Sequence, residues 1–322
     1  MWYDDTKQYI PGGKRVYYFI VNPGSQTGKA GNLWKELEKR LKSSKIDYKV
    51  FFTTVMNNAK IKAKKICEEH PEMKRIVVAG GDGTINEAIN GFSDFGSFIL
   101  GVIPMGSSND FARGLGIPRK PLEIIERTVH PGRFINVDIG EIISKDGDIN
   151  RKFAVSTGIG YDARICEKAA DSKLKKLLNK LHLGKLVYFI TGVVLVFTTK
   201  PVKAAVIIDG KRSIKCNRLL FVTCMNTRYE GGGIPMAPSA NPFDGKISAC
   251  IAHDISKIKH LYLMTKAAKG KHVNYKGVEQ VTALKLEVRA EQPMTIHTDG
   301  EIVGRNKNII VSCSKEKIKM MI

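Results

Sequence analysis

No stretch of this sequence is apolar for long enough to cross a bilayer. The longest, Leu186 to Phe197 (LVYFITGVVLVF), runs 12 residues with Gly192 inside it and Lys185 and Lys200 nearby, against ~20 for a spanning helix. A buried helix is the expectation there. Cysteine is sparse: the six (Cys67, Cys166, Cys216, Cys224, Cys250, Cys313) are scattered, with no C-x-x-C pair. With no secretory pattern at the N-terminus, this is the usage expected of a reducing compartment. Cys67 and His70 have the spacing of half a metal site without a second half, which reads as coincidence on a helix face rather than zinc. Zinc-finger and RNP-like patterns, a long basic tail, internal repeats and low-complexity segments are all missing, so nucleic acid is not the expected partner. Acidic residues are few beside basic ones, 31 against 52, for a formal charge of +21. Such an excess draws a protein toward polyanions, either nucleic acid or the anionic face of a bilayer, and the charge by itself does not choose between them.

What is present is an ordinary globular composition, 43% hydrophobic and 26% charged over 322 residues, enough for two domains and a sizeable core. Residues 1 to 14 show little pattern. From Val16 the order becomes regular: strand Val16 to Val21, a turn over Asn22 to Gly28, and a helix with Leu33, Leu37 and Leu41 on one face. Strand Tyr48 to Phe52 follows, ending in Thr53-Thr54, and then helix Asn58 to Glu69. A strand at Ile76 to Val78 runs into Gly80-Gly81-Asp82-Gly83-Thr84 and a helix carrying Ile85, Ala88 and Ile89. Strand Phe98 to Ile103 leads into Pro104 to Asp110. Strand and helix alternate four times, which predicts a doubly wound, Rossmann-like parallel sheet with ligands at the carboxyl ends of its strands.

After Phe134 the rhythm changes to short strands separated by Asp146-Gly147, Asp209-Gly210 and Asp244-Gly245 turns. The strands are expected at Val137 to Ile142, Lys152 to Ser156, Ala204 to Ile208, Leu219 to Cys224, Lys246 to Ala252, Leu284 to Arg289 and Met294 to His297. Helices are expected at about Asp162 to Thr199 and Ile258 to Ala268. This predicts an antiparallel β-sandwich domain. A further strand at Asn308 to Val311 is expected to return to the first domain. The expected division is therefore 1–134, completed by 306–322, and 135–305. Leu174, Leu177, Leu178 and Leu181 form an apolar stripe among Lys173, Lys175, Lys176, Lys180 and Lys185. That pattern suits a membrane surface or, the preferred reading, a solvated helix packed on the protein.

The glycine turn at Gly80 to Thr84 permits positive φ and close backbone approach, and the helix after it points unpaired N–H groups outward. A phosphate suits such a place; so does a plain change of chain direction. The first turn is not a Walker A loop, because Gly24 to Lys29 is one residue short and Ala30 stands where a hydroxyl is needed. What remains is three turns (Asn22 to Gly28, Gly80 to Asn86, Gly106 to Asp110) and Thr53, all at strand ends, a set able to wrap a nucleoside triphosphate. Near the C-terminus, Thr295, His297 and Asp299 share a strand face, and Gly300 turns the chain so that Glu301 reaches the same place. Phosphoryl transfer to a hydroxyl needs such a carboxylate, although Asp-Gly is also a common hairpin turn.

Together NPGSQTG, GGDGTINEAINGF, VIPMGSSNDFARGLGIP, NVDIG, PSANPFDGKI and HTDGEIVG resemble the bacterial diacylglycerol kinase and sphingosine kinase family of soluble lipid kinases, related to NAD kinases. The resemblance runs from Val16 onward. It implies that ATP is bound by Asn22, Pro23, Gly24, Ser25, Gln26, Thr53, Gly80, Gly81, Asp82, Gly83, Thr84, Ile85, Asn86 and Ser107. Asp82 would act through water or Mg2+ near the phosphates together with Asp138, supported by Asn109 and Asp110. A second-domain Mg2+ would be held by Asp244 and the carbonyls of Asn241 and Lys246. Asp299 and Glu301 would provide the general base, with His297 orienting its neighbour.

Three departures from the family pattern stand out. Gln26 replaces a usual glycine, Ser107 a common threonine, and Phe243 and Ser239 occupy positions that are often acidic, which weakens the second metal site. The expected activity is transfer of the γ-phosphoryl of Mg-ATP to a membrane lipid alcohol, diacylglycerol first, giving phosphatidic acid. The enzyme would be cytoplasmic and peripheral at the inner face of the cell membrane, with a homodimer left open. The alternatives are a kinase for another lipid alcohol or a soluble, NAD kinase-like substrate, and a non-catalytic regulator or nucleic-acid-binding protein that keeps the fold.

Overall fold

A computed structural model describes residues 16–44, 46–69, 74–118, 120–171 and 184–322. The expectations for residues 1 to 14, for His70 and for the lysine-flanked leucine stripe at 174–181 lie outside the described residues. The chain forms two compact units. One holds the chain up to Gly106, Ile117–Val137 and Lys317–Ile322; the other holds Ser107–Gly116 and Asp138–Glu316.

In the first unit, β1 (Val16–Val21), β2 (Asp47–Phe52), β3 (Lys74–Gly80) and β4 (Phe98–Pro104) pair in parallel in the order β2-β1-β3-β4. The central strands β3 and β4 are buried along their whole length, as a sheet covered on both faces requires. Helix α1 (Lys29–Ser43) buries Ala30, Trp34, Leu37 and Leu41, and the Trp34 ring lies 5.4 Å from that of Phe19. Helices α2 (Asn58–Glu69) and α3 (Asp82–Ile89) are joined through the buried Glu87, whose carboxylate accepts the Asn57 and Ala59 N–H groups at 2.8 and 3.0 Å. Two of the orphan donors at the start of α2 are thus satisfied by an anion, which also favours the positive end of the helix. The sheet continues through β15 (Ile318–Met321), parallel to β4, to β5 (Phe134–Val137), antiparallel at the edge.

The second unit is a nine-stranded antiparallel sheet ordered β12-β11-β10-β8-β13-β14-β6-β7, with β9 pairing both β10 and β13. Its strands are β6 (Gly140–Ser144), β7 (Asn150–Phe153), β8 (Ser156–Gly160), β9 (Val202–Ile208), β10 (Arg212–Met225), β11 (Ile247–His253), β12 (Val278–Ala283), β13 (Lys285–Thr298) and β14 (Glu301–Cys313). The long strands β10 and β13 let it fold over. Each pairs β9 along its first half and β8 along its second, with a register shift between Cys216 and Leu219 in β10 and between Arg289 and Met294 in β13. Bulges there bend the strands, so one strand serves two layers. The core between the layers holds Ile142, Phe153, Ile159, Val206, Leu219, Val222, Ile247, Leu286, Ile296, Ile309 and Val311. Asp209 and Gly210 form the β9–β10 hairpin turn at φ 50° and 68°.

Two expectations change. Asn308 to Val311 belongs to β14 and pairs β13 and β6 in the second unit; the segment returning to the first sheet is Ile318–Met321. Its two buried methionines and Ile318 supply the apolar face the first sheet needs there. The helix expected to be buried at Leu186 to Phe197 forms as Gly184–Thr198, but it is buried on one side only. Val187, Leu195 and Val196 face inward, while Phe189, Ile190, Val194 and Phe197 are exposed.

Candidate active site

The first unit brings the expected nucleotide residues together at the carboxyl ends of its strands. The Asn22 N–H donates to Ala79 O at 2.9 Å and the Thr53 N–H to Val21 O at 2.8 Å, so the loops after β1 and β2 leave the sheet in register with β3. The Asn22 side chain then donates to Thr84 Oγ1 at 2.9 Å and accepts the Gly24 N–H at 3.0 Å. Thr84 Oγ1, serving as acceptor, keeps its own proton for another partner. A Cβ on Gly80 would lie 2.7 Å from Thr84, inside any normal contact, and one on Gly81 would crowd the Gly106 backbone at 3.1 Å. Met105 N–H to Gly80 O, 2.8 Å, fastens the third turn to the second.

Gln26 adopts φ 51°, the left-handed conformation that explains why glycine suits this position. Its amide donates to Gly106 O at 2.7 Å, so the departure from glycine ties the first turn to the third. Asp82, in the first turn of α3, and Gly83 are partly exposed beside Gly81. Pro23 and Ser25 line the same loop. Asn86 and Ile85 are buried; the Ile85 N–H donates to Gly81 O at 3.1 Å, and the Asn86 carbonyl accepts the Asn90 N–H at 3.0 Å. Ser107 lies in the second unit with Asn109 and Asp110. Asp110 accepts the Gly232 N–H at 2.6 Å and Arg113 Nε at 3.2 Å, holding the loop around Gly231–Gly233.

In the second unit, Asp299 and Gly300 make the tight turn between β13 and β14, at φ 47° and 86°. The Asp299 carboxylate reaches back to three consecutive backbone N–H groups: Ala154 at 2.8 Å on one oxygen, Val155 at 2.8 Å and Ser156 at 2.9 Å on the other. Asp299 is therefore both hairpin turn and anchor, and its lone pairs are directed at the start of β8. Glu301, on the far side of the turn, is paired with Arg151 at 3.4 Å and is 31% exposed.

Behind the turn lies a polar cluster in which His297 is buried and Asp162 and Glu230 are half-buried. His297 Nε2 sits 3.0 Å from Asp162 Oδ2 and 3.5 Å from Glu230 Oε1. Thr223 Oγ1 donates to Asp162 at 2.9 Å, and Ser156 Oγ to Glu230 at 2.6 Å. The Gly300 N–H donates to His297 Nδ1 at 3.1 Å, so the imidazole connects the D-G-E turn to Asp162. Room for the pair exists because Gly158 lacks a side chain: its Cβ would lie 2.1 Å from Asp162 Oδ2 and 2.4 Å from His297 Nε2.

Burial and the nearby Asp162 push the Glu230 carboxyl up to about 8. His297 contacts hold Asp162 below the ordinary carboxylate range against the opposing effect of burial. Burial alone lowers the imidazole; Asp162, then Glu230 and Asp299, outweigh it and push His297 up to about 9. The Gly300 N–H opposes that, because a second ring proton on Nδ1 would set one donor against another. The proton the cluster retains is accordingly assigned to Glu230.

Two family models match the chain, the diacylglycerol kinase catalytic domain over residues 16–142 and the YegS C-terminal NAD kinase beta sandwich-like domain over 154–320. A diacylglycerol kinase of Bacillus subtilis (strain 168) is 32% identical over 72% of this chain and 73% of its own length. The chain belongs to the diacylglycerol kinase family. YtlR of the same organism, provisionally named a lipid kinase, is 29% identical over 89% of this chain and 94% of its own. The diacylglycerol kinase of Staphylococcus carnosus (strain TM300) is 27% identical over 89% and 88%. A crystal structure of a provisionally named diacylglycerol kinase from Bacillus anthracis str. Sterne superposes with a TM-score of 0.73, covering 96% of this chain and 97% of its own at 19% identity. That likeness establishes the parallel-sheet domain followed by the β-sandwich domain.

In this diacylglycerol kinase relative, Asp138 is buried within the second unit. Its N–H donates to Pro242 O at 2.8 Å and its carboxylate accepts the Gly245 N–H at 2.6 Å. It thereby fixes the 241–246 loop. Asp244 Oδ1 accepts the Lys246 N–H at 3.0 Å, and the loop offers one carboxylate with the carbonyls of Asn241 and Lys246. This all-oxygen set suits a hard cation in kind, with a single negative charge to hold it.

Among the described residues, the one cluster of three potential ligands is Asp162, Glu230 and His297. A metal on Nε2 would require the ring proton on Nδ1, where Gly300 already donates, so hydrogen bonding rather than ligation fits this cluster. Asp162, Ser156, Thr223 and Glu230 were not singled out from the sequence. They come together because β8, β10 and β13 are neighbours, and no spacing along the chain signals it.

Proposed function

We propose that this kinase transfers the γ-phosphoryl of ATP to the hydroxyl of a membrane lipid, diacylglycerol in the first instance, yielding phosphatidic acid and ADP. The observation that carries the reading is the division of labour in the D-G-E turn. Asp299 spends both oxygens on three N–H groups and is the scaffold; Glu301 is then the carboxylate that accepts the lipid hydroxyl proton as its oxygen attacks the γ-phosphorus. In the first unit, the N–H groups at the start of α3, with Asn22, Thr84 and the Gln26-braced loop, bind the triphosphate. Asp82 stands at the same turn, where its carboxylate would hold Mg2+ directly or through water, and that ion would offset phosphate charge. Asp244 with the Asn241 and Lys246 carbonyls would hold a second divalent ion that stiffens the 241–246 loop. The protein would act at the inner face of the cell membrane as a peripheral enzyme.

The test is a kinetic comparison on detergent-dispersed diacylglycerol. Glu301→Gln is expected to lower kcat by about 10² to 10⁴ while ATP affinity and thermal midpoint stay near wild type. Full activity in Glu301→Gln would overturn the assignment of the base.

A further inference from the structure

The helix Gly184–Thr198 and the helix Lys257–Ala267 lie side by side in the second unit. Lys257 Nζ donates to Phe197 O at 2.9 Å, capping the first helix from the second, and sits 5.9 Å from the Phe197 ring centroid. Inward, Leu195, Val196 and Leu263 join a core with Tyr161 and Phe221. Outward, the first helix shows Phe189 (50% exposed), Val194 (55%) and Phe197 (55%), and the second shows Ile258 (82%) and Tyr262 (47%). Large side chains left in water at this density on adjacent helices mark an interaction site rather than the scattered apolar residues of an ordinary surface.

Charge identifies the occupant. From Ile255 to Val278 the sequence carries Lys257, Lys259, Lys266, Lys269, Lys271 and Lys276 and no acidic residue; from Gly184 to Ile208 it carries Lys185, Lys200 and Lys203 and again no acidic residue. Lys257, Lys269, Lys271 and Lys276 are exposed. Apolar side chains on helices whose own segments carry lysines and no acidic residue match an anionic bilayer, with aromatic and aliphatic groups entering the acyl boundary and ammonium groups at the phosphates.

We propose that these two helices form the face by which the protein docks on anionic phospholipid membranes. The inference rests on the lipid-kinase reading for its purpose but not for its geometry. The embedded helices are too short to cross: among the described residues, no helix is long and apolar enough to do so.

The test is flotation of the whole protein with phosphatidylcholine vesicles with and without phosphatidylglycerol. Wild type is expected to float only with phosphatidylglycerol. Phe189→Ser/Phe197→Ser is expected to lose binding at least tenfold, and Lys269→Glu/Lys276→Glu at least fivefold, with a steeper dependence on salt in the wild type. A Phe197→Trp reporter should shift its emission to the blue on adding anionic vesicles. Turnover of a water-soluble short-chain diacylglycerol should be unchanged in both double variants. If no variant phosphorylates any lipid yet vesicle binding follows this pattern, the substrate reading fails and the docking face stands. Wild-type-like flotation of Phe189→Ser/Phe197→Ser would overturn the docking proposal. So would a wild-type dimer that becomes monomeric in that variant, since the face would then be a subunit interface.

Discussion

At the residue scale, the conformation of Asp299 matters as much as its charge. An aspartate at φ 47° whose carboxylate accepts three backbone N–H groups cannot be replaced by its amide without setting an NH2 group against a donor. Asp299→Asn is expected to cost about 3 kcal/mol of stability, seen as a lower thermal midpoint, whereas Glu301→Gln should leave the midpoint unmoved. Glu230 supplies a second residue-level expectation, in pH. The unfolded chain releases this proton near 4.5 and the folded chain only near about 8. The folded state therefore binds more protons across that window, and stability falls as pH rises through it. The thermal midpoint of wild type should decline from pH 5 to 9, and Glu230→Gln, which stays neutral and can still accept from Ser156, should flatten that decline. An equal slope in the two proteins would place the retained proton elsewhere.

At the element scale, β8 is the strand on which the second unit's site is assembled. Its first residue, Ser156, and the two residues before it supply the N–H groups for Asp299, Ser156 reaches Glu230, and Gly158 leaves space for the Asp162–His297 pair. Gly158→Ala is expected to destabilise by about 2–4 kcal/mol, because the added methyl must displace the hydrogen-bonded Asp162–His297 pair. Circular dichroism melts would show this, and a neutral result would mean that the pair is not held against the strand as described.

The elements themselves were largely legible in the sequence. Apolar runs ending in glycine-rich turns marked β1, β3 and β4 and their helices, and Asp-Gly pairs marked the hairpins. Strand pairing was not legible. Nothing local tells that Asn308 to Val311 stays with β13, or that Ile318–Met321 crosses back, since both are short apolar runs and only the finished sheets distinguish them. The exposed face of Gly184–Thr198 was likewise hidden, because a helix apolar all round has no periodicity to show which side meets water.

At the scale of the whole molecule, the charge of +21 and the division into a parallel-sheet unit and an antiparallel unit suit a kinase that takes a charged nucleotide and a lipid. The motif residues of the first unit were readable because the glycines and hydroxyls of a tight turn at a strand end stand in contiguous order. The Asp162–Glu230–His297 cluster was not, since its members come from segments far apart in the chain. Attraction to anionic surfaces should weaken with salt over the range in which the Debye length shortens from ~10 to ~3 Å.

The central claim, lipid phosphorylation, is tested most directly by incubating the protein with γ-labelled ATP and vesicles holding a panel of lipid alcohols, then separating the products. The account predicts label in a phosphorylated lipid, phosphatidic acid first, with wild type, and an initial rate lower by about 10² to 10⁴ with Glu301→Gln. Label found only in an added soluble alcohol, with every lipid unlabelled, would contradict it.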